Sequence, residues 1–112
     1  MSATFEEVVA QALDDLPRWV RERLENVDVI IEDRPQPAQR DLLGLYEGIP
    51  LTQRGTGYSG VLPDRITLFQ PALERAATSE GHLKALIRHT VVHEVAHFFG
   101  ISDERLDDLG RY

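Results

Sequence analysis

The stretch that decides the fold lies near the end of the chain and reads His93-Glu94-Val95-Ala96-His97-Phe98-Phe99-Gly100-Ile101-Ser102-Asp103. Its form is H-E-x-x-H-x-x-G-x-x-D. Residues four apart lie one turn apart on the same face of an α-helix, so the imidazoles of His93 and His97 can converge on one metal ion. Glu94 then flanks the ion, where a base acting on a metal-bound water is needed. The pattern therefore predicts a metal site on a helix.

A third protein ligand is needed for a stable catalytic zinc site. His89 continues the stripe of the motif histidines, but eight residues of helix span about 12 Å, whereas each zinc–nitrogen bond is only about 2 Å. We therefore exclude His89 as a ligand of the same ion. Gly100 can adopt a positive φ and turn the chain back under the helix. We expect this turn to bring Asp103 to the metal, with Glu104 as the competing carboxylate.

The rest of the helix around the motif is almost entirely apolar from Thr90 to Phe99, which predicts that the helix is buried. The three motif residues are the only ionisable ones in that stretch, and burying them without partners would be costly. A metal ion supplies the partner. Two imidazoles and a carboxylate suit a single Zn²⁺ ion best, although other divalent metals are compatible. The alternative is a pair of core histidines that form a salt bridge with Glu94.

Composition narrows the class of protein. The chain has 112 residues, a net charge of −7 and no cysteine. This length predicts one domain over 1–112, and the acidic charge argues against nucleic-acid binding. The absence of cysteine excludes disulfides and thiolate metal sites. The N-terminus does not resemble a signal peptide, and no apolar stretch approaches the length of a membrane span. We therefore expect a cytoplasmic monomer without a membrane partner.

The remaining chain predicts elements that would support the motif helix. Thr4 and Glu7 fit a capping box at the start of the first helix, and Ser79 fits the cap of the long one. We expect Trp19 to pack in the core and His82 to be solvated. The segments 42–46 and 49–51 predict a hairpin around Glu47-Gly48. The predicted helices are 4–14, 17–24, 72–77, 79–99 and 103–109, the predicted strands are Val27–Glu32 and 65–70, and the predicted loops are 34–40 and 52–64.

The motif resembles that of the zincin metallopeptidases, and the whole chain resembles a small bacterial zincin-like family, sometimes described as minimal metallopeptidases. The similar segments are 24–27, 45–51, 62–66 with Leu68-Phe69, and 90–109. The resemblance implies an α+β fold in which a small twisted mixed sheet packs on a long active-site helix, with helices at the N-terminus. It also implies that His93, His97 and Asp103 hold the zinc ion and that Glu94 is the general base.

The resemblance further implies zinc-dependent hydrolysis of peptide bonds, in which Glu94 takes a proton from the metal-bound water. The substrate would be a peptide or protein, added as a strand along 65–70 at the edge of the sheet. Tyr46, Tyr58 and Tyr112 are all candidates for stabilising the oxyanion. Two alternatives stay open: a catalytically weak or inactive binding module stabilised by metal, and a metal-dependent endoribonuclease. Glu94 and the acidic charge argue against the second.

Overall fold

The computed structural model describes residues 3–34, 42–51, 63–102 and 104. Two helices, three strands and two further helices follow one another along these residues. Predictions that lie outside them are the ligand Asp103, nearly all of the helix at 103–109, and most of the loops at 34–40 and 52–64. The elements are α1 (Phe5–Asp14), α2 (Arg18–Arg23), β1 (Val27–Glu32), β2 (Gly44–Glu47), β3 (Asp64–Phe69), α3 (Gln70–Ala76) and α4 (Glu80–Phe98).

The predicted capping box starts α1. The Thr4 hydroxyl accepts a hydrogen bond from the Glu7 backbone N–H at 3.1 Å, and the Glu7 carboxylate accepts one from the Thr4 N–H at 3.0 Å. These two bonds satisfy backbone donors that a helix start otherwise leaves unpaired. The core face of α1 consists of Phe5, Val8, Val9 and Ala12.

The short helix α2 buries Val20 but leaves Trp19 64% exposed. The prediction that Trp19 packs in the core is therefore wrong. Its ring instead contacts Phe99 edge to face, with the ring centroids 5.6 Å apart. A helix of six residues turns less than twice, so only one narrow side of it can face the core.

The three strands of the described residues form a mixed sheet in the order β1-β3-β2. β1 pairs in parallel with β3, from Val27 opposite Asp64 to Glu32 opposite Phe69. β2 pairs with β3 in the antiparallel sense, with Gly44 opposite Leu68. The prediction of an edge strand along 65–70 is wrong, because β3 is hydrogen-bonded on both sides. β2 is the edge strand that lies over the motif helix.

The predicted hairpin around Glu47-Gly48 is also wrong, because β2 pairs with β3 and residues 49–51 form no strand. Gly48 has a φ of 151°, and a Cβ atom there would lie 2.5 Å from the carboxyl carbon of Asp64. Pro50 follows and has no N–H to give to a ladder. The chain therefore leaves the sheet at Gly48 instead of turning back along β2.

The long helix α4 begins and ends where the sequence predicts. The Ser79 hydroxyl accepts a hydrogen bond from the His82 backbone N–H at 3.0 Å, and Gly100 follows the last turn with a φ of 89°. Burial is confined to part of the helix circumference, since Val92 is 51% exposed. The prediction of burial on nearly all sides is therefore wrong, because the sheet and α1 cover only part of α4.

The core lies between the sheet, α1 and α4, as expected for elements that each have one apolar face. Side chains from these elements form one cluster that includes Val9, Ile66, Leu68, Ile87, Val91 and Val95. This arrangement, a small mixed sheet packed on a long helix, confirms the predicted α+β fold.

Candidate metal centre

α4 brings the two motif histidines together. Their Nε2 atoms lie 3.0 Å apart, and their ring planes are inclined at 77° with centroids 4.7 Å apart. Two nitrogens bound tetrahedrally to one zinc ion at about 2.05 Å would lie roughly 3.3 Å apart. The rings therefore need to move by only a few tenths of an ångström to hold such an ion. The same distance suits a hydrogen bond between the rings when one Nε2 carries a proton.

Glu94 completes the cluster. A carboxylate oxygen of Glu94 and one nitrogen from each of His93 and His97 all lie within 4.8 Å of one another. Glu94 is only 6% exposed, whereas both histidines are half-buried. The cluster thus combines two half-buried imidazoles with a carboxylate largely shielded from bulk water. Imidazole nitrogens are ligands that suit Zn²⁺, and the carboxylate lies beside them.

The edge strand β2 runs directly over this cluster. A Cβ atom at Gly44 would lie 2.7 Å from Thr90 Cγ2 and 3.1 Å from Glu94 Cγ, so only glycine permits this approach. Gly44 does not stand out in the sequence, although glycine inside a strand often marks a close backbone approach. Between β2 and α4 lies a cleft of 410 Å³, and its lining includes His93, Glu94 and His97.

A partly buried hydrogen bond holds the C-terminal half of β2. The Tyr46 hydroxyl donates to Asp64 Oδ2 at 2.6 Å, and Asp64 is 2% exposed. The Tyr46 ring also contacts Phe98 of α4, with ring centroids 6.1 Å apart. A phenol has one O–H, and here it is directed at Asp64. Tyr46 therefore forms a fixed part of the cleft lining. The other two candidates for stabilising the oxyanion, Tyr58 and Tyr112, lie outside the described residues.

The chain turns back at the end of α4 as the sequence predicts. The Gly100 N–H donates to the His97 carbonyl at 2.9 Å, and the Ile101 N–H donates to the Ala96 carbonyl at 3.0 Å. This bond pair with a positive φ at the glycine is a Schellman motif. Ile101 and Ser102 then line the cleft. Asp103, the next residue, lies outside the described residues, so its role as third ligand stays a prediction.

The other two histidines lie apart from the cluster. His89 is exposed, and its ring centroid is 6.2 Å from that of His93. It does not belong to the described group of ligand atoms, in line with its exclusion by distance. His82 is half-buried, and its Nδ1 accepts a hydrogen bond from the Thr78 N–H at 2.9 Å. His82 therefore supports the start of α4 and is less solvated than predicted.

Comparison with known families agrees with this geometry. Residues 24–111 match the family model of the zincin-like metallopeptidases, so the chain belongs to that family. A search of curated proteins finds no match. Family membership and the histidine–glutamate cluster together support a metal-dependent hydrolase at the level of the family. Every helix in the described part of the chain is too short or too polar to traverse a lipid bilayer.

Proposed function

We propose that this protein hydrolyses peptide bonds in a zinc-dependent reaction. One observation carries the proposal: two histidine nitrogens 3.0 Å apart and a buried carboxylate meet at a cleft walled by an edge strand. His93 and His97 would hold the metal, and Asp103 is the third ligand that the motif predicts. When bound, a zinc ion supplies a Lewis acid that polarises a carbonyl and acidifies water.

Glu94 is the general base in this proposal. Its carboxylate takes a proton from the attacking water as the oxygen–carbon bond forms. It returns that proton to the amide nitrogen as the carbon–nitrogen bond breaks, so the products are a carboxylic acid and an amine. Glu94 is largely shielded from bulk water and lines the cleft beside the two histidines.

We propose that the peptide binds along the outer edge of β2. β2 pairs on one side with β3, and within the described residues no strand pairs with its other side. An extended peptide can add there through backbone hydrogen bonds, which would place its carbonyl groups along the cleft. This binding site takes the place of the one predicted along 65–70, because the backbone of that strand is already paired on both sides.

The substitution Glu94→Gln tests the mechanism. Elemental analysis of purified protein should find about one zinc ion per chain in both wild type and variant. Mass spectrometry of a peptide library should show cleavage by wild type and a loss of at least roughly a hundredfold in the variant. Glu80→Gln, the same change at the far end of α4, is the control and should cleave like wild type. Equal cleavage by wild type and Glu94→Gln would contradict the proposed role of Glu94.

Metal content also tests the ligand set. Alanine at His93, His97 or Asp103 should lower the bound zinc well below that of wild type, whereas Glu104→Ala should retain it. If Glu104→Ala loses zinc but Asp103→Ala retains it, Glu104 and not Asp103 is the third ligand. If the zinc-loaded protein cuts no peptide and chelation unfolds it, the metal stabilises a binding module and the proposal of hydrolysis fails.

A further inference from the structure

A second depression adjoins the cleft near Gly44. It has a volume of 270 Å³ and shares Leu42, Gly44, His93 and Glu94 with the cleft. It also includes Leu43, His89 and Thr90. The two depressions therefore form one groove between β2 and α4, with the metal-binding histidines near its middle. We call the part that contains His89 the His89 lobe.

The orientation of β2 decides which part of a bound peptide would reach the His89 lobe. Gly44 lies against Thr90 and Glu94, while Tyr46 lies against Phe98, so β2 and α4 run in the same direction. Antiparallel pairing is slightly more stable per residue than parallel pairing. A peptide antiparallel to β2 runs from the Tyr46 end toward His89. Its residues on the C-terminal side of the cleaved bond would then occupy the His89 lobe.

In this lobe, the side chain of His89 makes no hydrogen bond with the described residues. Its only described interaction is the ring contact with His93. The Thr90 hydroxyl, in contrast, donates to the Leu86 carbonyl at 2.7 Å. His93 and Glu94 belong to the candidate metal centre, and leucines and a glycine form the rest of the lining. A polar group of a ligand in this lobe would therefore meet His89.

The chemistry around His89 favours a carboxylate. An imidazole always carries at least one N–H donor, and a carboxylate is the strongest common acceptor for it. The helix positions one turn away are Ala85, Leu86, Val92 and His93, so no acidic side chain of α4 competes at that distance. We propose that His89 binds a carboxylate of the substrate, from an acidic side chain or from the chain terminus, on the C-terminal side of the cleaved bond. This inference rests on the proposed peptide hydrolysis.

Matched peptides test this proposal. One pair differs only by Glu or Gln on the C-terminal side of the cleaved bond, and a second pair differs only by a free or an amidated C-terminus. We expect wild type to cleave the carboxylate-bearing member of at least one pair about tenfold faster in kcat/KM, as for a charge-assisted hydrogen bond. The pair that shows the effect identifies the source of the carboxylate. His89→Leu should abolish the difference while retaining bound zinc.

Lys84→Gln is the control, because it removes a positive charge from the same helix at an exposed position that lines neither depression. It should keep the tenfold preference. Equal cleavage of both members of both pairs by wild type would overturn the role of His89, as would an unchanged preference in His89→Leu.

A binding measurement separates this inference from the proposed hydrolysis. The affinity of zinc-loaded Glu94→Gln for the same peptides is measured by fluorescence anisotropy, with and without His89→Leu. Discrimination that His89→Leu removes would support the carboxylate site even if wild type cleaves nothing. Cleavage without discrimination would overturn the carboxylate site alone, and absence of both binding and cleavage would overturn both proposals.

Discussion

Gly44 marks the closest approach of β2 to α4, and its replacement by alanine tests that contact. The added Cβ atom would lie 2.7 Å from Thr90 Cγ2, 3.1 Å from Glu94 Cγ and 3.3 Å from the Thr67 carbonyl oxygen. Thr90 cannot easily rotate away, because its hydroxyl donates to the Leu86 carbonyl and the residue is only 4% exposed. One of the neighbours must therefore shift.

The expected cost is the balance of two effects. Alanine in an open strand position is favoured over glycine by about 0.5–1 kcal/mol, whereas overpacking a close contact costs about 1–3 kcal/mol. We expect Gly44→Ala to lower the free energy of unfolding by about 1–2 kcal/mol, which would lower the melting temperature by roughly 5–15 °C.

Urea denaturation of metal-free protein, followed by far-UV circular dichroism, measures this cost. Gly81→Ala is the matched control, because a Cβ atom at Gly81 meets nothing within 4 Å. Gly81 lies in the first turn of α4, so alanine there should raise stability by up to about 1 kcal/mol. If Gly44→Ala is as stable as wild type while Gly81→Ala behaves as expected, β2 does not lie against Thr90 and Glu94.

Two further predictions concern a hydrogen bond and an ion pair. Tyr46→Phe should cost about 1–3 kcal/mol in urea denaturation, because Asp64 is buried and loses a donor at 2.6 Å; an unchanged free energy of unfolding would contradict this. Hydrogen bonds to the Asp15 carboxylate, mainly from Arg88 and to a lesser extent from Gln11, hold the pKa of this carboxyl below its ordinary value. The stability that this carboxylate contributes is therefore present above its ordinary pKa and is lost as the pH falls through the lowered value. The stability difference between wild type and Asp15→Asn should shrink as the pH falls below the ordinary pKa of the carboxyl, and a constant difference would refute the assignment.

The convergence of His93 and His97 could be predicted because its determinants are local. Four residues of helix separate His93 from His97, and helix geometry alone puts their side chains on one face. Glycine at position 100 needs only its own backbone freedom to reverse the chain. Neither relation depends on how distant segments pack, so both survive in the folded protein.

The sheet order could not be predicted because strand pairing is a long-range choice. Polar and apolar residues alternate over most of the segment 65–70, and this pattern favours an edge or a half-exposed position. In the structure five of the six residues of β3 are buried, as expected for a central strand. The register between Gly44 and Leu68 depends on the fit of β2 against α4, and no local pattern in either strand encodes that fit.

Within the described residues no strand pairs with the outer side of β2, and this has a consequence for solubility. Unpaired strand edges can join those of other molecules and start aggregation, and proteins limit this with short strands, charges and interrupting prolines. β2 has only four residues, ends at the exposed Glu47 and is followed by Gly48 and, two residues later, by Pro50. An edge this short can accept a few residues of a peptide but offers little length for self-association. The shortness of β2 is thus compatible both with the proposed binding of a peptide and with limited self-association.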